Sequence, residues 1–151
     1  MMEDISEVKM GTHEKIGFGV ALILMAYLAR EDIYKKRIPS FAIVISGCSA
    51  LLFMAAGESL SFIQITVRIF PGVVLLLTAF VTKEAIGYGD GAGVLVLGLW
   101  TSIIFCLSAV GIGLFLAGIC GVVLLIRGKK KVQIPFIPFL LAAMEVLLIY
   151  V

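Results

Sequence analysis

The chain has 151 residues, 62% of them hydrophobic, with a mean hydropathy of +1.17 and a formal net charge of +2. A soluble domain carries roughly 45–50% apolar residues, so a soluble globular protein is excluded, and a charge so close to neutral gives nucleic-acid binding no support. The composition predicts an all-α, polytopic membrane protein of one domain, whose chemistry must sit within its spans or their short connections.

The first fifteen residues, MMEDISEVKMGTHEK, mix both charge signs and lack the basic, apolar, small-residue order of a cleaved signal peptide. Residues 1–15 are therefore expected to form an extracytoplasmic tail, followed by a membrane domain over 16–151. Apolar segments run over 16–30, 41–57, 62–82, 91–126 and 134–151. As a helix the fourth would measure about 54 Å against a hydrocarbon core of roughly 30 Å, which predicts a break near 106–109 and six transmembrane helices in total. The first looks short, about 22 Å over 16–30. Ala109, Gly113, Ala117 and Gly121 recur every four residues, a small-residue ladder that lets membrane helices pack closely.

Cys48, Cys106 and Cys120 lie inside apolar runs without CxxC spacing, and His13 is the only histidine. The cysteines read as small buried hydrophobes rather than metal ligands. Ser46, Ser49, Ser102 and Ser108 have no histidine partner in a recognisable motif. Serine and metal mechanisms are thus unsupported, and no cofactor is expected.

Arg30, Lys35, Lys36 and Arg37 follow the first apolar segment, Lys83 the third, and Arg127, Lys129, Lys130 and Lys131 the expected fifth helix. These basic residues fill alternate connections, which the positive-inside rule assigns to the cytoplasm, with both termini outside. Asp32, after the first segment, and Asp90, before the fourth, then share the cytoplasmic face.

Each acid alone has a plainer reading. Asp32 would meet the negative end of its own helix or sit in a solvated loop beside Glu31, and Asp90, after Gly-Tyr-Gly, would suit a helix N-cap. Together, two carboxyls sharing a site cannot both ionise easily, which supplies the one base and one acid that peptide hydrolysis by water needs. Gly87 and Gly89 permit close backbone approach beside Asp90.

Three segments carrying these residues resemble the prepilin peptidase family of GxGD-type aspartic proteases: DIYKKRIPS from Asp32, GYGDGAGVLVLGLW from Gly87, and IPFIPFLLAA from Ile134. The resemblance implies that Asp32 and Asp90 are catalytic. It further implies that Ile38, Pro39, Gly87, Gly89, Pro135 and Pro138 shape the loops around the substrate. The implied partners are type IV prepilin-like precursors, each with a short basic leader before a hydrophobic helix, cut at the cytoplasmic side, together with membrane lipids. Ser40 stands where the family usually has asparagine, and Ala92 where many members have lysine. Paired CxxC motifs of the larger bifunctional members are missing, so peptidase without N-methyltransferase activity is expected.

Preflagellin or other pseudopilin processing is an alternative substrate class, and a small transporter or assembly factor is the non-enzymatic alternative. A transporter calls for polar residues near the bilayer midplane, whereas these acids lie at one interface. Arg68 and Glu145, each within an apolar segment, are expected to form an ion pair.

Overall fold

In the computed structural model the described residues are 12–35, 38–57, 61–81, 87–128 and 134–150. They form six helices: α1 (Thr12–Lys35), α2 (Ser40–Gly57), α3 (Phe62–Val81), α4 (Tyr88–Trp100), α5 (Ile103–Ile126) and α6 (Ile137–Tyr150). The tail before residue 12 and the basic residues Lys36, Arg37, Lys83 and Lys129 to Lys131 lie outside the described residues.

α1 is longer than its apolar stretch. Arg30 and Glu31 are good helix formers, and the Glu31 carboxylate meets Lys35 Nζ one turn on at 2.7 Å. The 24-residue helix therefore measures about 36 Å, and Asp32 lies in its last turns rather than in a loop.

The break between α4 and α5 falls earlier than the expected 106–109. Thr101 donates from its N–H (3.0 Å) and Oγ1 (2.8 Å) to the Leu97 carbonyl, closing α4. Ser102 then caps α5 by accepting from the Phe105 N–H at 3.3 Å. Polar capping groups decide the position; Cys106 and Ala109 are buried inside α5. α5 stops at Gly128, whose φ of 73° permits the left-handed turn in which its N–H donates to the Leu125 carbonyl.

Only α2, α3 and α5 are long and apolar enough to cross a membrane, not six helices. α4 has 13 residues and α6 has 14, short of the roughly 20 needed to span alone, and α1 carries charges at both ends. α4 is instead enclosed by α1, α2, α3 and α5. Around it the exterior is apolar: Phe62, Phe80, Ile104, Phe115 and Ile126 are among many exposed hydrophobics. An apolar outside around a packed inside marks a membrane protein.

Glycines set the spacing of these helices. A Cβ on Gly98 would overlap the Arg68 carbonyl and one on Gly72 the Leu95 backbone, while one on Gly91 would lie 3.0 Å from the Leu76 nitrogen. The pairs 68/98, 72/95 and 76/91 define an antiparallel α3–α4 contact. The small-residue ladder of α5 faces α6: a Cβ on Gly113 would stand 3.3 Å from Leu140 Cα, and one on Gly121 would lie 3.4 Å from Ile134 Cδ1. Met25, Leu28, Leu97, Ile137, Leu140 and Met144 form the fully buried centre. At the far end of α4, Trp100 donates from Nε1 to Ser46 Oγ at 2.9 Å.

Two expectations are corrected. Arg68 and Glu145 do not pair, whereas Glu31 and Lys35 do. Arg68 is on α3 against α4, whereas Glu145 is exposed on α6. Of the cysteines only Cys106 is buried, Cys120 is partly so and Cys48 is exposed. Cys48 is accommodated because Val44 and Leu52, one turn to either side, are also exposed apolar residues.

Candidate active site

Asp32 and Asp90 reach the same end of the bundle from antiparallel helices. Near the start of α1, a Cβ on Gly17 would meet the Trp100 carbonyl at the end of α4; toward its other end, Leu28 lies near Gly93 at the beginning of α4. The last turns of α1 therefore stand beside the first turn of α4. α6 enters here too, since a Cβ on Gly93 would lie 3.1 Å from Ile137 Cδ1.

Asp90 is not the N-cap of α4. That position is Gly87, whose carbonyl accepts from the Asp90 N–H at 3.0 Å. The Asp90 carboxylate accepts in return from the Gly87 N–H, the acidic half of a capping box. Gly87 has φ −65° and ψ 138°, a conformation open to any residue, so space is the requirement there: a Cβ would sit 3.2 Å from Asp90 Oδ2. At Gly89 a Cβ would sit 2.7 Å from Ile38 Cδ1 and 2.9 Å from Ile38 Cβ. Ile38 thus covers the first turn of α4. Pro39 opens α2, its carbonyl accepting from the N–H groups of Ala42 (3.1 Å) and Ile43 (3.4 Å).

Asp32 is 9% exposed. Its own helix C-terminus disfavours a negative charge, but its carboxylate accepts a hydrogen bond from the Ile137 N–H at the start of α6, where the helix dipole favours one. The other oxygen, Oδ2, is buried with no hydrogen-bond partner among the described residues. α6 begins at Ile137, so Pro138 is in its first turn, while Pro135 precedes the helix. The segment's expected helix start at 134 is thus three residues early, because Phe136 is the residue whose carbonyl accepts from Phe139 (3.0 Å) and Leu140 (3.1 Å).

Both acids lie outside the three long apolar spans. Burial pushes the Asp90 carboxyl up to about 7, the neighbouring Asp32 charge adds in the same direction, and the Gly87 N–H opposes. Burial also raises Asp32, and the Ile137 N–H pulls it back. Because one charge acts on the other, the protons belong to the pair. Among the described residues no group of three or more His, Cys, Asp or Glu could hold a metal ion.

Asp32, Asp90, Gly87, Gly89, Ile38 and Pro138 are thus drawn to one end, with Pro39 and Pro135 in the adjoining chain. Ile137 carries no mark of a site residue in the sequence, since its contribution is a backbone N–H rather than a side chain. Its flanking prolines were the available signal.

The fold and this pair of interacting acids define an α-helical membrane protein with a partly buried dicarboxyl site. The model of the type IV leader peptidase family matches residues 19–151. The chain belongs to that family, which marks it as a leader peptidase-like protease. Neither the curated proteins nor the solved structures compared with the chain gave a match.

Proposed function

We propose that the chain is an aspartic endopeptidase that removes short leaders from type IV prepilin-like precursors, with Asp32 and Asp90 as its catalytic pair. The observation that carries this reading is a buried carboxyl on α1 and a half-buried one on α4, close enough for the charge of one to raise the other. Asp32 is the ionised base, with Oδ2 uncommitted among the described residues, and Asp90 is the protonated acid. Asp32 takes a proton from water as the water oxygen attacks the scissile carbonyl; Asp90 gives its proton to the leaving amine as the C–N bond breaks. Proton exchange then restores the starting state. No cofactor takes part.

In this reading α2, α3 and α5 cross the cytoplasmic membrane, with α1, α4 and α6 packed against them and with residues 1–15 and the C-terminus outside. Arg30, Lys35 and Arg127, with the further basic residues of those connections, support a cytoplasmic site. The substrate presents its hydrophobic helix to the bundle and its basic leader to this face. Ile38, Pro39, Gly87, Gly89, Pro135 and Pro138 shape the path to the acids.

The test is co-expression with a precursor bearing a short basic leader, a glycine at the leader boundary and a hydrophobic helix. Wild type cleaves, whereas Asp32→Asn and Asp90→Asn, inserted at equal levels, do not. Normal cleavage by either folded variant refutes the assignment.

A further inference from the structure

The first backbone N–H groups of an α-helix have no partner within it, so each must find one elsewhere when buried. At α6 this accounting closes in an unusual way. The Leu140 N–H donates to the Phe136 carbonyl in the regular helical bond, and Phe139, one residue earlier, shares that carbonyl. Pro138 has no N–H at all. Ile137 is left, and its N–H goes to the carboxylate of Asp32. Both Phe136 and Ile137 are buried, at 6% and 0% exposure, so the site is fixed by packing. On the same carboxylate Oδ2 has no hydrogen-bond partner among the described residues, although the position following Ile137 is where a second helix N–H would stand in any residue but proline.

The geometry points to a positioning role for the start of α6: Ile137 supplies Asp32 with one amide hydrogen bond, and Pro138, lacking an N–H, withholds a second and leaves Oδ2 for the attacking water. This rests on Asp32 being the base proposed above. A carboxylate with both oxygens held by amides is a weak base; one with neither held is protonated when buried. One donor sets it between these limits. The charged and titratable groups around Asp32 are few. α4 contributes Asp90 and the exposed Tyr88, and α6 carries Glu145, exposed two turns along. α2 has no charged residue. On α1, Arg30 is exposed and Glu31 is tied to Lys35. Among the described residues none of these donates to Oδ2.

The experiment measures cleavage of the same precursor type against pH by purified protein in lipid nanodiscs. Pro138→Ala adds the missing N–H at a position where a helix accepts alanine. Replacing Ile137 by its α-hydroxy analogue through nonsense suppression exchanges the N–H for an ester oxygen and keeps the side chain. In Pro138→Ala the acid limb moves down by about one pH unit, roughly the worth of a hydrogen bond to a charged group, and the maximal rate falls several-fold. In the ester variant the acid limb moves up by a similar amount. A purely structural role lowers rate or stability and leaves the limb in place. Acid limbs that stay at the wild-type pH in both variants overturn the inference, and should Pro138→Ala not fold, an unmoved limb in the ester variant does so alone. Asp32→Asn separates the two levels: it abolishes cleavage if Asp32 is the base, and normal cleavage by it refutes the catalytic assignment itself.

Discussion

Gly89→Ala tests the site's packing because two effects of known sign oppose each other. Gly89 is the second residue of α4, in a helix, where replacing glycine by alanine favours the helix by up to about 1 kcal/mol. Gly128 is the positive-φ glycine among the described residues, so backbone strain does not enter at Gly89. Against that gain, the new Cβ would lie 2.7 Å from Ile38 Cδ1, 2.9 Å from Cβ and 3.0 Å from Cγ1. Cδ1 can swing away, but Cβ moves only with the backbone, so the segment holding Ile38 or the start of α4 must shift. Overpacking of this kind costs about 1–3 kcal/mol, and the clash outweighs the propensity. Gly89→Ala is therefore expected to lower stability by up to about 2 kcal/mol net, the clash less the full propensity gain. Because Asp90 is the next residue, cleavage should fall further, toward the roughly 10²-fold that a misplacement of about 1 Å costs. Ile38→Ala removes Cγ1 and Cδ1 but leaves Cβ, so in the double variant part of the loss returns, with a coupling of at least about 1 kcal/mol in the stability cycle. Thermal unfolding in nanodiscs and kcat/KM on the precursor supply the four corners. Additive effects within about 0.5 kcal/mol, or a Gly89→Ala protein more stable than wild type, refute the reasoning.

Asp90 binds its proton more tightly in the folded protein, its carboxyl standing at about 7 rather than the ordinary 3.8. Its contribution to stability is full below about 4 and disappears as pH rises to about 7, and its capacity as an acid disappears over the same upper limb. Asp90→Asn is expected to flatten the dependence of Tm on pH between 4 and 8; identical wild-type and variant profiles refute this. Ser46→Ala leaves the buried Trp100 Nε1–H without its acceptor, at a cost of about 1–3 kcal/mol. Since Trp100 ends the helix that Asp90 begins, activity per folded molecule should persist. Gly113→Leu forces α5 from Leu140 and Phe136, at 3.3 Å and 3.5 Å from the new Cβ, and is expected to lose about 1–3 kcal/mol and reduce cleavage. Gly118→Leu, where a Cβ meets nothing within 4 Å, should do neither, as unfolding and cleavage assays will show.

The helical class and the number of apolar segments were legible because runs of Leu, Ile, Val and Phe leave the backbone only helices in lipid. Segment ends were less so. Hydropathy could not see that Thr101 and Ser102 would cap and uncap neighbouring helices, nor that Glu31 and Lys35 would carry α1 past its apolar stretch, since both depend on single hydrogen bonds or ion pairs. Arg68 and Glu145 each lie within an apolar segment, but that placement says nothing about which faces of two helices meet. Asp32 and Asp90 were legible only as a pair, through the basic residues that set both at one face and the family-like segments that carry them. What distinguishes their environments is backbone: the N–H groups of Gly87 and Ile137 carry no mark in the sequence except the glycine and prolines beside them.

That distribution of amides gives the two acids different starting points before any substrate arrives. Asp90 is tied to the N-cap residue of its own helix, so its hydrogen bond forms with α4 itself and is local. Asp32 depends on α6, a helix more than one hundred residues away in the chain, and acquires its amide only when α1, α4 and α6 have docked through Leu28, Gly93 and Ile137. A carboxyl buried without that amide is driven toward its neutral form, and two neutral carboxyls cannot activate water. In the proposed mechanism the base, Asp32, is thus completed by tertiary packing, whereas the proposed acid, Asp90, needs little beyond its own helix and burial. Changes along the α5–α6 interface, remote from both carboxyls, are therefore expected to act on Asp32 first.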